Sequence, residues 1–166
     1  LASYRTGPSG RLEIHDRYFD TPGGTLGSAR YALRIRNDGR QELLCMKAGE
    51  EAQPWGGVRR LEIEGPWSEE ILGEILEQGG PLSCLRSAGY CEDPVKTLEG
   101  CGLMIIQSRL TSRSAIKVFD EEGPDGRCLA ELALDRVCYV TGGGEFLHYE
   151  IEVEAKPGGV PQEMER

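Results

Sequence analysis

Long apolar runs are missing from this sequence. No stretch approaches the roughly 18–20 residues that a membrane-spanning helix needs, so no membrane partner is expected. The opening residues lack the basic, apolar and small-residue succession of a signal peptide. No Cys-x-x-Cys pair occurs, and the two histidines, His15 and His148, stand apart from any cysteine pair. A zinc site is therefore not expected. A basic surface is missing too: 28 acidic residues outweigh 19 lysines and arginines, for a formal net charge of -9. Non-specific nucleic-acid binding rests on such a surface, so no nucleic-acid partner is expected. Internal repeats, low-complexity tracts and an internal linker are also lacking, and 166 residues suit a single domain.

What is present describes a globular chain, 39% hydrophobic and 28% charged. Six cysteines stand at 45, 84, 91, 101, 128 and 138. Cys45, Cys128 and Cys138 fall within apolar, strand-like stretches, where cysteine acts as a small hydrophobe. We read all six as reduced and the protein as cytoplasmic, with no structural disulfide. The acidic total does not forbid an anionic ligand, because the sign of a pocket is independent of the sign of the whole chain.

Most of the chain alternates with period two between turn signals, which predicts antiparallel strands. The candidates are 11–20, 31–36, 41–47, 58–64, 103–108, 113–120, 129–140 and 147–156. Thr21-Pro22-Gly23-Gly24 ends the first, and Asn37-Asp38-Gly39 joins the next two as a hairpin. A helix interrupts this order. Ser68 can cap it, Ile71, Leu72, Ile75 and Leu76 recur at helical spacing, and Gly79-Gly80 stop it. A second short helix is expected within 81–100, and the last ten residues read as a fraying tail. The fold class is mainly β, an antiparallel sandwich or barrel with a helical insert.

Charge collects on one face of several strands, because residues i, i+2 and i+4 point the same way. Arg30, Arg34 and Arg36 oppose Tyr31, Leu33 and Ile35. Arg60, Glu62 and Glu64 share a face, as do Glu150, Glu152, Glu154 and Lys156. Arg113 and Lys117 oppose Ser112 and Ser114, while Glu131 and Asp135 alternate with Leu132 and Leu134. One reading is a sheet with a solvated polar face. The other puts both signs inside one barrel. There, carboxylates at i and i+2 hold a hard cation, and arginines fork onto phosphate oxygens. The Glu150–Glu154 row weakens the first, since three like charges along a strand are costly without cations to offset them, although by pattern alone the solvated face remains the commoner arrangement.

These residues resemble a known family. Tyr18-Phe19-Asp20-Thr21-Pro22, then Ala32-Leu33-Arg34-Ile35-Arg36, Lys47 and Arg60-Leu61-Glu62-Ile63-Glu64 appear in the order seen in the triphosphate tunnel metalloenzymes, or CYTH family. Ala130-Glu131-Leu132-Ala133-Leu134-Asp135-Arg136 and Tyr149-Glu150-Ile151-Glu152-Val153-Glu154 continue the likeness. The match runs from about residue 11 to 156. That family includes class IV adenylate cyclases and thiamine triphosphatase-like enzymes. The resemblance implies a closed or partly open antiparallel β-barrel, the triphosphate tunnel. Its N-terminal Glu-x-Glu-x-Lys strand has no counterpart in Leu1–Gly10. Glu152-Val153-Glu154-Ala155-Lys156 reads as the closing acidic strand instead. The expectation is a chain that begins inside its domain, leaving an exposed sheet edge open to homodimer pairing or aggregation.

By the same resemblance, Arg34, Arg36, Lys47, Arg109 and Arg113 would hold phosphates. Glu152, Glu154 and Asp135 would hold Mg²⁺ or Mn²⁺. Glu62, Glu64 and Arg113 would act in catalysis. Tyr18 and Asp20 are read as structural, fixing a turn and a strand end. The implied activity is metal-dependent hydrolysis of inorganic triphosphate, a nucleoside triphosphate or thiamine triphosphate. The alternative is a non-catalytic module that binds polyphosphate or nucleotide. In either case the partner is a triphosphate-containing small molecule.

Overall fold

The computed structural model describes residues 4–52, 58–85, 89–120, 126–141 and 144–156. The expected tail at 157–166 lies outside them. The alternating segments form one antiparallel sheet with the strands β1 (Tyr4–Thr6), β2 (Gly10–Asp20), β3 (Tyr31–Asn37), β4 (Glu42–Ala52), β5 (Val58–Pro66), β6 (Met104–Asp120), β7 (Cys128–Thr141) and β8 (Gly144–Ala155). Its order is β5-β4-β3-β2-β6-β7-β8, with β1 paired to β6. The sheet does not close, since β5 and β8 end the order as its edges. This is the partly open barrel that the family resemblance implies.

Three details differ from the sequence reading. The expected strands at 103–108 and 113–120 are one 17-residue strand, β6, because Arg109, Leu110 and Thr111 keep the alternation between them. Strand β1 was not anticipated, nor was α1 (Thr25–Ser28), a single turn too short for periodicity to register. Asp20 builds that turn. Its carboxylate accepts from the backbone N–H groups of Thr21, Leu26 and Gly27 at 2.7–2.9 Å. Helix α2 (Glu69–Glu77) begins as expected at Ser68, whose hydroxyl accepts from Ile71 N. Helix α3 (Pro94–Gly100) is capped by Asp93. In the hairpin after β3, Gly39 takes φ 83°, which glycine adopts without strain, and Asn37 Oδ1 accepts from its N–H.

The two faces of the sheet carry different loads. On β2, β3 and β4 the outer face is apolar: Phe19, Leu33, Ile35, Leu44 and Met46 are buried there against Leu26, Leu72, Ile75 and Leu98 of the helices. Parity then forces Tyr18, Arg34, Arg36 and Cys45 onto the inner face. That inner face is not open water. Ile14, Thr111 and Val137, side by side on β2, β6 and β7, are at most 3% exposed, so the sheet curls around them. On β6–β8 the outer face is uncovered among the described residues. Leu110, Leu134, Leu147, Tyr149, Ile151 and Val153 stand 43–73% exposed.

The two halves should therefore respond differently to mutation. Leu44→Ala, at a fully buried site under the helices, should cost about 2–5 kcal/mol through lost transfer energy and a cavity. Ile151→Ser, on the uncovered face, should stay within about 0.5 kcal/mol. Urea unfolding of both variants reads the difference. An equal loss would mean the outer face of β8 is packed.

Candidate functional site

Two buried aspartates organise the inner face. Asp16 and Asp135 are both 0% exposed, and each is gripped by a guanidinium from the neighbouring strand. Arg36 of β3 donates Nε to Asp16 Oδ1 at 2.9 Å and Nη2 to Oδ2 at 3.1 Å. Arg34 Nε lies 3.5 Å from the same carboxylate. Arg113 of β6 grips Asp135 of β7 in the same forked way, at 2.8 and 2.6 Å. Register explains both pairs, because Asp16 stands opposite Arg36 and Asp135 opposite Arg113. A buried carboxylate without a partner costs several kcal/mol, so each pair locks its arginine in one orientation.

Tyr18 adds a second restraint. Arg34 donates Nη1 to its hydroxyl at 3.0 Å, and the guanidinium carbons of Arg34 and Arg109 lie 5.8 and 5.9 Å from its ring. Arg109 is also 5.8 Å from the ring of Tyr139, so aromatic faces flank it. Sequence reading placed Tyr18 as structural. It is structural, but what it fixes is the site. Asp16 was not singled out at all. Its only sequence signal was its parity with Tyr18.

The arginines so held line a cavity of about 290 Å³. Among the described residues, Arg34, Arg36, Lys47, Arg60, Arg109 and Arg113 contribute six cationic side chains, and Glu152 the single carboxylate. Arg60 comes from edge strand β5 and Glu152 from edge strand β8, so the curl brings the two ends of the sheet order to one cavity. All five residues expected to hold phosphate meet there. Two guanidinium donors, Arg109 Nε and Arg34 Nε, the latter with only its 3.5 Å ion contact to Asp16, are buried without a hydrogen-bond partner among the described residues, as is the Thr111 hydroxyl. Each such group costs about 1–3 kcal/mol, and buried cationic donors left this way suit an anion.

Carboxylates gather beside the cations. Asp135, Glu150 and Glu152 each offer an oxygen within 4.8 Å of the others, a set of hard oxygen donors suited to Mg²⁺ or Mn²⁺. Glu154 lies outside this group. It pairs with Lys156 at 2.9 Å and is largely exposed. The acidic row on β8 is offset one residue at a time: Glu150 meets Arg109 at 3.4 Å, Glu152 meets Arg113 at 2.6 Å, and Glu154 meets Lys156. Glu62 pairs with Lys47 at 2.9 Å, and Glu64 accepts from the Cys45 thiol at 2.9 Å. His15 is held by Ser108, and His148 approaches Glu150 at 3.9 Å.

Electrostatics follow from this packing. Burial alone would lower the pKa of Arg34, but Tyr18 and Asp16 outweigh it and the pKa is raised. The hydrogen bonds to Asp135 raise that of Arg113 against partial burial, with Glu152 adding to the rise. Both arginines stay charged. Burial, reinforced by the hydrogen bond to Glu64, pushes the Cys45 thiol up to about 12. Cys45 is a neutral donor here and not a nucleophile. Cys45, Cys91, Cys128 and Cys138 are free thiols, and Cys84 lies outside the described side chains.

Two predictions follow from these pairs. Arg113→Ala leaves Asp135 buried and unpaired, and should cost roughly 3 kcal/mol. Arg113→Met combined with Asp135→Leu should restore most of that stability in urea unfolding. Failure of the double variant to recover would mean that the pair does more for the fold than hold one side chain. Cys45 makes stability depend on pH with a defined sign. Its proton is held more tightly in the folded state, so stability is intact below about pH 9 and falls as pH rises toward 12. Thermal unfolding from pH 8 to 11 should show a shallower fall for Cys45→Val than for wild type.

Human thiamine-triphosphatase is 33% identical over 148 residues, which is 86% of this chain and 60% of that protein. The chain thus spans under two thirds of the length of that curated relative. Among solved structures, HpAC1 of Hippeastrum, reported to have a dominant triphosphatase activity, matches with a TM-score of 0.50 and 21% identity. That match covers 90% of this chain and 68% of the other, and likeness at this identity speaks to the fold alone. The model of the CYTH domain matches residues 1–165, and the chain belongs to the CYTH domain family.

Proposed function

We propose that this inner face binds a triphosphate and, with a divalent cation, hydrolyses it. The observation that carries the reading is the pair of Asp-locked arginine groups converging on one cationic cavity in a chain of net charge -9. Preoriented guanidinium forks match phosphate oxygens two at a time, and they need no rearrangement when charge develops during transfer. Arg34, Arg36 and Lys47 hold one end of the phosphate chain, and Arg109 and Arg113 the other. Human thiamine-triphosphatase, by its stated activity, favours the same class of substrate.

The carboxylates fit a divalent cation. Asp135, Glu150 and Glu152 would hold Mg²⁺ or Mn²⁺, since each carboxylate can accept beyond its arginine contact, while Glu154 is turned to Lys156. When bound, the ion neutralises phosphate charge and polarises the bond to be cleaved. Glu62 and Glu64, on β5 at the opposite rim, are the groups we assign to orient the attacking water and hold its proton. Cys45 keeps one oxygen of Glu64 in place. The cytoplasm is the compartment we propose, from the free cysteines. No helix among the described residues is long and apolar enough to cross a membrane.

Thermal unfolding tests the composite site. Wild type, Arg34→Ala, Arg36→Ala and Glu152→Ala would be melted with Mg²⁺, tripolyphosphate, both or neither. A ligand at 100 times its Kd adds about 2.7 kcal/mol, a readily measured shift in Tm. The arginine variants should lose most of the tripolyphosphate response and keep the metal response, and Glu152→Ala should lose the metal response first. Phosphate release under the same conditions separates the enzyme from the non-catalytic binding module. No shift in wild type with both ligands at millimolar concentration would contradict the reading.

A further inference from the structure

The inner face of β7 changes character along its length. Ala133, Asp135 and Val137 are at most 3% exposed and form part of its floor. Tyr139, two residues on, keeps the same parity and is only half-buried. Register sets it opposite Arg109 of β6 and Phe146 of β8. The rings of Tyr139 and Phe146 lie 6.3 Å apart, tilted by 39°, so the tyrosine is braced from the β8 side.

Arg109 is held unlike Arg36 and Arg113, which each fork onto a buried aspartate. Its ion contact among the described residues is with Glu150, at 3.4 Å, and its Nε is buried without a hydrogen-bond partner. Aromatic rings restrain it instead, Tyr18 at 5.9 Å and Tyr139 at 5.8 Å. A ring attracts a guanidinium without neutralising it, so Arg109 keeps its charge for an anion. Glu150 is held as loosely. Asp135 and Glu152 meet Arg113 at 2.6 Å, whereas Glu150 accepts from the Tyr139 hydroxyl at 3.3 Å on Oε1 and from Arg109 at 3.4 Å on Oε2. The two contacts orient both oxygens of this carboxylate. A neutral phenol does so without placing a second cation beside it, and each carboxylate oxygen has a further lone pair to offer.

We propose that Tyr139 is a positioning residue for both halves of the site, its ring holding Arg109 for phosphate and its hydroxyl holding Glu150 for the divalent cation. This inference rests on the reading of the inner face as a composite triphosphate and metal site. The two functions belong to different atoms of one side chain, so they separate by mutation. The ring acts through a cation–π contact with Arg109, and the hydroxyl through a hydrogen bond to Glu150. A residue that served only the fold would affect both ligands together.

Calorimetric titration tests this with two probes, Mn²⁺ alone and tripolyphosphate in the presence of a metal chelator, on proteins shown to be folded by circular dichroism. Tyr139→Phe keeps the ring and loses the donor. It should weaken Mn²⁺ binding about fivefold, the effect of one lost hydrogen bond, and leave tripolyphosphate within about twofold. Tyr139→Leu loses the ring as well and should weaken tripolyphosphate about fivefold in addition. Phenylalanine thus rescues the phosphate half and not the metal half. Unchanged Mn²⁺ affinity in Tyr139→Phe would overturn the proposal. So would equal loss of both ligands in that variant, or wild-type tripolyphosphate affinity in Tyr139→Leu. If wild type does not bind both ligands, the reading of the site fails and takes this inference with it. If wild type binds both and the variants do not separate them, only this inference fails.

Discussion

The buried aspartate–arginine pair is the interaction on which the rest of this structure depends, and it occurs twice. Asp16 with Arg36 and Asp135 with Arg113 place fully buried carboxylates behind the cations that line the cavity. Such pairs contribute little net stability, because desolvation consumes most of the Coulomb energy. Their value lies in orientation. A guanidinium held at two oxygens presents its remaining donors in one direction. Four strands supply the partners, and antiparallel register sets the two members of each pair opposite one another on adjacent strands.

Curvature turns these pairs into one site. In a flat sheet, β5 and β8 would lie at opposite edges, with Arg60 and Glu152 several strands apart. The curl brings both to the same cavity and buries Ile14, Thr111 and Val137 beneath it. The helices act from the other side. By covering the outer face of β2–β4 they oblige its apolar residues to face outward, and parity delivers Tyr18, Arg34, Arg36 and Cys45 inward. The acidic total of the chain and the cationic cavity are compatible because, among the described residues, the cavity is lined by six cationic side chains and one carboxylate whatever the rest of the chain carries.

Much of this was legible in the sequence, because period two is a strong signal and assigns faces as well as strands. Arg34, Arg36, Lys47, Arg109 and Arg113 were all expected to meet, and they do. The Ser68 cap and the Asn37–Gly39 turn were legible from side-chain chemistry that acts within a few residues. Asp16 was not, because its importance comes from standing opposite Arg36 and Arg109, a matter of register between distant segments. Tyr18 was legible as a residue of structural weight, but its contact with two arginines from different strands was not. Among the acidic residues, parity could not tell Glu150, which joins Asp135 and Glu152, from Glu154, which turns to Lys156. The joining of 103–108 and 113–120 into β6 was hidden by the serine- and threonine-rich middle of that strand, which reads as a turn in isolation.

The central claim is that Asp16 serves the site by holding arginines and not by its charge. The most direct test is the affinity of Asp16→Asn for tripolyphosphate in Mg²⁺, measured by titration calorimetry on protein shown to be folded by circular dichroism. Removing a negative charge from beside an anion site would, on Coulomb's law alone, tighten binding. The account predicts the opposite, a loss of about tenfold or more, because Arg36 and Arg34 lose the carboxylate that orients them. Tighter or unchanged binding in Asp16→Asn would contradict it.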